Sequence, residues 1–283
     1  GEGGVMDPVV SKLRLRAAEI LEQMAKCYEF QIKEGTEEWY RRALAVIDTV
    51  EHHPDAVPIK ARLLCHLGKH LAHNVPFSAA GGGPRRSQSG NRTVSADEVE
   101  PVLSSARTIY ERTADYHGVA TVDYSLGILW RRVGDREEAG KCFERSLVMR
   151  RRLYGEQHPE VAFVTNEFAG FHADNHTDEE SVARAQQLFS AALDIRLKFG
   201  GPEHILVATT LFQWGSLLVK TQTHLDAAED KLRRSFHIRN KHWGRDHFLT
   251  QAVARQLQRL GLKEFDDNRP SGGQRGRGAR GRG

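Results

Sequence analysis

Three histidines at helical spacing are the best candidates for metal chemistry in this sequence. His66, His70 and His73 stand at i, i+4 and i+7, so one face of a helix would present three imidazole rings. A structural zinc site needs four ligands, and no carboxylate or cysteine stands at a spacing that completes the set. We therefore interpret them as histidines on a helix surface and predict neither a metal nor another cofactor.

Other catalytic patterns are also absent from the sequence. The glycine run at 81–83 is followed by Pro84 and not by the Gly-Lys-Ser/Thr that completes a phosphate-binding loop. We find no serine elbow, zinc-binding helix pair or paired catalytic carboxylates. The sequence therefore predicts a protein that is not an enzyme.

Arginines interleaved with glycine mark the C-terminal end. The formal net charge is +4, and residues 268–283 carry five arginines and no acidic residue, so the rest of the chain is close to neutral. Flexible glycines let each guanidinium reach a phosphate or stack on a base, which predicts weak RNA contact or arginine methylation. The residues concerned are Arg275, Arg277, Arg280 and Arg282. A solubilising or linker tail is the alternative. Ser87, after Arg85 and Arg86, is a candidate phosphorylation site.

A second basic cluster includes Arg131 and Arg132. One interpretation is a solvated face with local pairs to Glu137, Glu138 and Glu144. The other is a patch that binds an acidic peptide, because guanidinium groups match carboxylates in geometry. Both interpretations remain open at this stage.

An internal repeat organises the chain. Ala139, Ala185 and Ala228 are anchors 46 and 43 residues apart, and apolar residues follow each anchor at offsets 4, 8 and 10. Arginine, glycine and histidine recur at offsets 11, 16 and 19: Arg150, Arg196 and Arg239; Gly155, Gly201 and Gly244; His158, His204 and His247. Such a period of 20 to 50 residues indicates a stack of similar units.

The spacing predicts two helices in each unit. The apolar offsets fall on one stripe of a helix that we term helix B, and glycine follows where we expect a left-handed C-cap. The repeated histidines are predicted to bond or pack at the same turn, after which the next helix A begins. A small residue in each helix A, at Gly127, Ala169 or Gly215, is expected to let the two helices approach closely.

Weaker copies of the repeat extend towards the N-terminus. An amphipathic stretch at 9–32 would be the first helix A, 61–68 lies in the next one, and 99–116 is its helix B. The predicted organisation is a flexible N-terminus at 1–7, a solenoid at 8–261 and a disordered Arg-Gly-rich tail at 262–283. Its units are 8–54, 55–117 with a disordered insert at 76–96, 118–159, 160–204, 205–247 and a capping helix at 248–261.

One stretch carries a family resemblance. The run at 134–150 reads GDREEAGKCFERSLVMR, and the run at 155–162 reads GEQHPEVA. This pattern resembles the tetratricopeptide repeats of kinesin light chains, closely over 118–247 and loosely over 8–117. The resemblance implies an all-α fold, a right-handed α-solenoid of tetratricopeptide-type helical hairpins whose concave groove is lined by A helices.

The same resemblance suggests which residues contact a ligand. In the related repeats, paired asparagines on helix A commonly bond the backbone of a bound peptide. The matching positions here are Tyr124 and Ser125, Asn166 and Glu167, and Phe212 and Gln213. Only Asn166 has the family residue, so the resemblance predicts a groove but not the kinesin light chain ligand.

These observations predict a scaffold or adaptor that binds a peptide or helix of a partner protein. The alternative is an RNA-associated adaptor whose tail contacts RNA while the solenoid recruits proteins. No apolar run approaches about 18 residues, so no membrane span is predicted. Three scattered cysteines, Cys27, Cys65 and Cys142, favour a reducing compartment, the cytoplasm or the nucleus. The oligomeric state is left open.

Overall fold

The chain is all-helical throughout the ranges that the structure describes. The structure is a computed structural model, and it describes residues 7–30, 35–77 and 94–261. These ranges contain eleven α-helices and no strand. The helices are α1 (Pro8–Phe30), α2 (Thr36–Asp48), α3 (Ala56–Asn74), α4 (Ala96–Arg112), α5 (Tyr116–Val133), α6 (Arg136–Tyr154), α7 (Pro159–Asp174), α8 (Glu179–Gly200), α9 (Ile205–Thr221), α10 (Leu225–Trp243) and α11 (Phe248–Arg259).

Consecutive helices pack as hairpins. The pairs are α1 with α2, α3 with α4, α5 with α6, α7 with α8 and α9 with α10, and α11 follows the last pair. We call the first helix of each pair helix A and the second helix B. The chain divides into two compact units, 1–156 with α1 to α6 and 157–283 with α7 to α11. Within each unit, helix B of one hairpin packs against helix A of the next.

Glycines in two A helices permit the close approach that the sequence predicts. A Cβ atom at Gly127 would lie 3.0 Å from the ring of Phe143, and one at Gly215 would lie 2.8 Å from Cγ of Leu232. Phe143 and Leu232 are fully buried in helix B of the same hairpin. Since buried side chains in a dense core have little room to move, the glycines are what allow these helix pairs to touch.

Glycine ends three B helices with a backbone that differs from the one predicted. Gly155, Gly201 and Gly244 have the positive φ expected of a cap, at 81°, 76° and 82°. Their ψ angles of 163°, 175° and 166° are extended and not left-handed helical. This region is essentially restricted to glycine. The prediction of a left-handed cap is therefore right for φ and wrong for ψ, because the backbone is extended at each of these glycines.

Two predicted boundaries also shift. Helix α5 begins at Tyr116, inside the predicted second unit, because Ala114 has a positive φ of 54° and the carboxylate of Asp115 accepts from the Gly118 N–H. The predicted insert at 76–96 is ordered at both edges, where residue 94 is a buried valine and α4 starts at Ala96. Residues 1–6, 31–34, 78–93 and 262–283 lie outside the described residues, and Ser87 and the tail arginines are among them.

No helix in the described ranges combines the length and the apolar composition needed to cross a bilayer.

Candidate functional site

The repeated arginine and histidine meet at a single residue of the following A helix. His204 is the N-cap of α9, and its Nδ1 accepts a hydrogen bond from the N–H of Leu206 at 3.2 Å. Nη1 of Arg196, in α8, donates to the carbonyl oxygen of the same Leu206 at 2.9 Å. The two side chains therefore form hydrogen bonds with both the backbone N–H and the carbonyl oxygen of Leu206, a residue in the first turn of α9. We call this pair of bonds the Arg–His clamp.

The same clamp recurs one hairpin later. Nδ1 of His247 accepts from the N–H of Leu249 at 3.3 Å, and Nη1 of Arg239 donates to the carbonyl oxygen of Leu249 at 2.9 Å. His158 also caps a helix, since its Nδ1 accepts from the Glu160 N–H at 3.1 Å. The prediction that these histidines bond at the same turn is confirmed.

The arginines of the clamp are buried, which sequence reasoning did not predict. Arg196 and Arg239 are only 6% and 3% exposed, and burial lowers the pKa of each guanidinium to about 10. Arg150, at the same offset in the first unit, is buried to the same degree, and its Nη2 donates to Oγ1 of Thr121 at 3.3 Å. The signal in the sequence was an arginine that recurs in all three repeats, one position beyond an apolar stripe.

Asn166 lies at the centre of a hydrogen-bonded network between α7, α8 and α9. Its Oδ1 accepts from Nη1 of Arg196 at 3.1 Å and from Oγ1 of Thr210 at 3.0 Å. Its Nδ2 donates to Oε1 of Gln213 at 2.6 Å, and the residue is fully buried. The asparagine that resembles a ligand-binding residue thus orients Gln213 and joins two A helices.

Beside this network lies a half-exposed surface that we call the α7/α9 face. Its members are Glu167, Thr209, Phe212, Gln213 and Ser216, all half-buried. Phe212 and Gln213 each lie three or four positions from Thr209 and from Ser216, so the α9 residues form one stripe of that helix. The guanidinium of Arg239 lies 4.7 Å from the ring centre of Phe212. The face combines an aromatic ring, an amide, the hydroxyl of Thr209 and a carboxylate, and one clamp holds the start of α9.

Two predicted contact residues in the first unit lie elsewhere. Tyr124 is 4% exposed and its ring packs against that of Phe143, with 6.2 Å between ring centres. Ser125 is fully buried, and its Oγ donates to the carbonyl oxygen of Thr121. Both side chains are buried in the first unit. We do not include them in a contact surface.

Arg132 is engaged inside the first unit. Its Nη1 donates to the carbonyl oxygen of Val75 at 2.7 Å, and its guanidinium lies 4.4 Å from the ring centre of Phe77. Burial, followed by the charge of the half-buried Arg131, lowers the pKa of Arg132. These contacts hold the end of α3 and its continuation, which is a structural role for one member of the predicted basic patch.

The glutamates expected to pair with that patch have another partner. Nζ of Lys141 lies 2.7 Å from Glu137 and 2.9 Å from Glu138. Arg145, from the same basic stretch, contacts the buried carboxylate of Asp123 at 3.3 Å. Within α6, a lysine pairs with both of these carboxylates, and one arginine of the basic stretch reaches back to α5.

Asp123 is a buried charge that the sequence analysis did not single out. It is 2% exposed and lies between Arg145 and Arg107, whose Nε is 3.8 Å from Oδ1. Burial raises its pKa in spite of these two cations. Clefts of about 440 Å³ and 540 Å³ are both lined by Arg107 and Arg145. Burial also raises the pKa of the neighbouring Cys142 to about 11, so the sulfur remains a thiol and a weak nucleophile.

The predicted histidine face of α3 is part of an ion network in the first unit. Glu22 is fully buried in α1, and Nε of Arg62 donates to both of its oxygens at 2.9 Å. Lys26 contacts the same carboxylate at 2.7 Å, and Nε2 of His66 is 3.6 Å away. In the described part of the chain, no three His, Cys, Asp or Glu side chains group closely enough to hold a metal ion.

Comparisons with known proteins agree with this architecture. A family model described as a tetratricopeptide repeat matches residues 124–160. The structure resembles BtubC (BKLC) from P. vanneervenii, with a TM-score of 0.55 and 18% identity over 87% of each chain. It also resembles a Podosopora anserina putative kinesin light chain with nearly identical TPR-like repeats, with a TM-score of 0.55 and 15% identity over 81% of this chain and 98% of that one. No curated protein sequence matches the chain.

A point variant of the same Podosopora anserina protein gives a TM-score of 0.56 at 15% identity, over 81% of this chain and 97% of that one. The suspected repeat type, tetratricopeptide repeats similar to those of kinesin light chains, is confirmed. The all-α fold class, a solenoid type built of tetratricopeptide hairpins, is confirmed as well.

The ion network predicts acid sensitivity of the first unit. Burial and the charge of Lys26 lower the pKa of His66 to about 4, so below pH 6.5 the unfolded chain binds a proton that the folded chain does not. The neutral ring of His66 therefore costs the folded state no stability above pH 6.5. As the pH falls from 6.5 towards 4, the free energy of unfolding decreases. For Glu22, burial would raise the pKa, but bonds from Arg62 and Lys26 outweigh it, so that contribution is lost only below pH 4.5.

The measurement is the free energy of urea unfolding between pH 7 and 4.5, for the native chain and His66→Gln. The native chain should lose on the order of 1 to 2 kcal/mol more than the variant over this range, after allowance for partial exposure of the ring. His52→Gln, at an exposed position of the same unit, is the matched control and should follow the native curve. Parallel curves for the native chain and His66→Gln would contradict this assignment.

Proposed function

We propose that this chain is a non-catalytic scaffold that binds a peptide or a helix of a partner protein on the α7/α9 face. The tetratricopeptide fold is itself typical of proteins that mediate protein–protein interactions and are not enzymes. The observation that carries the finer proposal is the chain of hydrogen bonds from Arg196 through Asn166 to Gln213. It fixes a half-exposed amide on a rigid helix, which favours binding because little side-chain freedom is lost.

The chemistry of the face indicates what it would bind. With its Oε1 bonded to Asn166, the amide of Gln213 is oriented to donate from its NH₂ group to a backbone carbonyl of the ligand. The half-exposed ring of Phe212, backed by Arg239, offers an apolar contact, and Glu167 offers a carboxylate. A ligand with an apolar side chain close to a basic residue could contact the ring of Phe212 with the first and the carboxylate of Glu167 with the second.

Free buried thiols support an assignment to a reducing compartment. Cys65 and Cys142 are unpaired and buried, and burial raises the pKa of the Cys65 thiol to about 12. Such residues act as small apolar side chains where disulfides do not form. We therefore propose the cytoplasm, or the nucleus, as the location of the protein.

Variants of the α7/α9 face test the proposed function. Peptides are selected from a random library on the immobilised native chain, and their Kd is measured by fluorescence polarisation. Gln213→Ala and Glu167→Lys should each weaken binding by about 5- to 50-fold, because each removes or reverses a polar contact in the interface. Gln187→Ala, on the exposed surface of α8, is the matched control and should bind as the native chain does.

Two results would contradict the proposal. One is that no selected peptide binds with a Kd below the millimolar range. The other is that Gln213→Ala and Glu167→Lys bind the selected peptides as tightly as Gln187→Ala does.

The Arg-Gly run supports a second candidate function, an RNA-associated adaptor. Arg275, Arg277, Arg280 and Arg282 lie outside the described residues, so this candidate rests on the sequence alone. Deleting 268–283 should abolish retention on single-stranded RNA and leave peptide affinity unchanged. With the five arginines of 268–283, the slope of log K against log salt should be no steeper than about −3.5. RNA retention that survives the deletion would contradict a role for the tail.

A further inference from the structure

A trough runs along three helices of the first unit. Helices α4 and α6 both pack on α5, but they do not pack extensively on each other. The two clefts of about 440 Å³ and 540 Å³ lie between them, and they are contiguous because they share Arg107, Glu111 and Arg145. The α5 residues that line the clefts are three or four positions apart and form one stripe, Tyr116, Val119, Asp123, Leu126 and Trp130. We call this surface the α4–α6 trough.

A buried carboxylate that the repeat does not require lies near the centre of the trough. Asp123 lines the larger cleft and is 2% exposed. It stands four positions before Gly127, and the same register of the next two A helices holds Thr165 and Leu211, which are buried and uncharged. Hairpins of this type therefore pack without a charge at this position. Since a buried charge is costly unless it is well paired, Asp123 points to a role other than packing.

Neither Asp123 nor the arginine beside it has a full set of hydrogen bonds. The carboxylate accepts from Nε of Arg145 at 3.3 Å, and this bond goes to Oδ1. Nε of Arg107 approaches the same oxygen only to 3.8 Å, and it is buried without a hydrogen-bond partner. No donor in the described part of the chain bonds to Oδ2. The trough thus holds an open acceptor next to an unsatisfied guanidinium, whose side chain is 35% exposed.

These two groups match a neutral amide. A cationic ligand would be repelled by Arg107 and Arg145, and an anionic ligand by Asp123 and Glu111, whose Oε1 is 3.3 Å from Nε of Arg107. A peptide group carries no charge, and its N–H can donate to Oδ2 while its carbonyl oxygen accepts from the guanidinium. The amides of an extended main chain are free for such bonds, whereas those of a helix are bonded within it.

The walls of the larger cleft suit an apolar side chain. Tyr116 and Val148 are 53% and 39% exposed, and the half-buried Met149 also lines this cleft. The smaller cleft is lined by the half-buried ring of Trp130 and the exposed carboxylate of Glu100, and this pair suits a basic side chain. The α5 stripe extends for about 21 Å at 1.5 Å per residue. An extended peptide of about six residues spans that length.

We propose that the α4–α6 trough binds an extended peptide of a partner protein, with a main-chain amide of the peptide between Asp123 and Arg107. An apolar side chain of the peptide occupies the larger cleft, and a basic side chain occupies the smaller one. The trough lies between two B helices of the first unit and shares no residue with the α7/α9 face. This second site therefore does not depend on the proposed function.

Differential selection isolates ligands of the trough. A random peptide library is first depleted on the immobilised Asp123→Leu chain, which removes ligands of the α7/α9 face, and is then selected on the native chain. Leucine stands at the same register in α9, as Leu211, so the variant should stay folded, which circular dichroism checks. The enriched peptides should bind the native chain with a Kd of about 1 to 100 µM by fluorescence polarisation, and Asp123→Leu at least tenfold more weakly.

Substitutions at the centre and the wall of the trough test the same peptides. Arg107→Met and Val148→Gln should each weaken binding at least fivefold, because the first removes the donor and the second places an amide against the apolar side chain. Arg112→Met, at an exposed position of α4, and Val57→Gln, at an exposed valine of α3, are the matched controls and should bind as the native chain does. Gln213→Ala should also leave the affinity unchanged, which separates the trough from the α7/α9 face.

The proposal is overturned if no peptide that survives the depletion binds the native chain with a Kd below the millimolar range. It is overturned equally if Arg107→Met and Val148→Gln bind the enriched peptides as tightly as their controls do. Urea unfolding supplies an independent check of the role of Asp123. A marked loss of stability in both Asp123→Leu and Asp123→Thr would show that the fold requires the carboxylate, and the proposal would fail on that result too.

Discussion

The structure depends on a buried arginine that reaches from helix B of one hairpin to the first turn of the next helix A. Removing a guanidinium from water is costly unless its hydrogen-bond donors find acceptors. Nη1 of Arg196 meets three, the Leu206 carbonyl oxygen, Oδ1 of Asn166 and Oγ1 of Thr210, whereas its buried Nε meets none. The bond to Leu206 fixes where α9 begins, and the bond to Asn166 ties α7 to the same point. One side chain of α8 thus contacts the A helix of its own hairpin and the A helix of the next.

The candidate binding surface is a consequence of this constraint. The first four N–H groups of a helix lack partners within the helix, and histidine supplies one acceptor while arginine holds the carbonyl of the same residue. With the start of α9 held in place, its stripe of half-exposed residues keeps one orientation beside α7. The second clamp, at Arg239, places a guanidinium against the ring of Phe212. The arginine of the second clamp is therefore in direct contact with a residue of the α7/α9 face.

Sequence spacing predicted the hairpins well, because periodicity decides which side of a helix is apolar. The anchors at Ala139, Ala185 and Ala228 are all fully buried, and Gly127 and Gly215 make the close approaches expected. Spacing does not determine what a polar residue touches. The buried arginines, the core position of Tyr124 and the use of Arg132 at the end of α3 depend on contacts between segments far apart in the sequence. The stretch at 9–32 was predicted as an amphipathic helix. Its pattern alone does not show that Leu13 and Ile20 are exposed while Leu15 is buried.

Amide hydrogen exchange in the variant Arg196→Met tests the central role of the clamp most directly. Methionine retains much of the apolar bulk of arginine but cannot donate to Leu206 or Asn166. If the clamp orders the start of α9, protection of the amides at 206–208 should fall by about tenfold or more, and peptide affinity at the α7/α9 face should fall with it. Arg184→Met, at an exposed position of the same helix, should change neither. Unchanged protection at 206–208 in Arg196→Met would contradict the account.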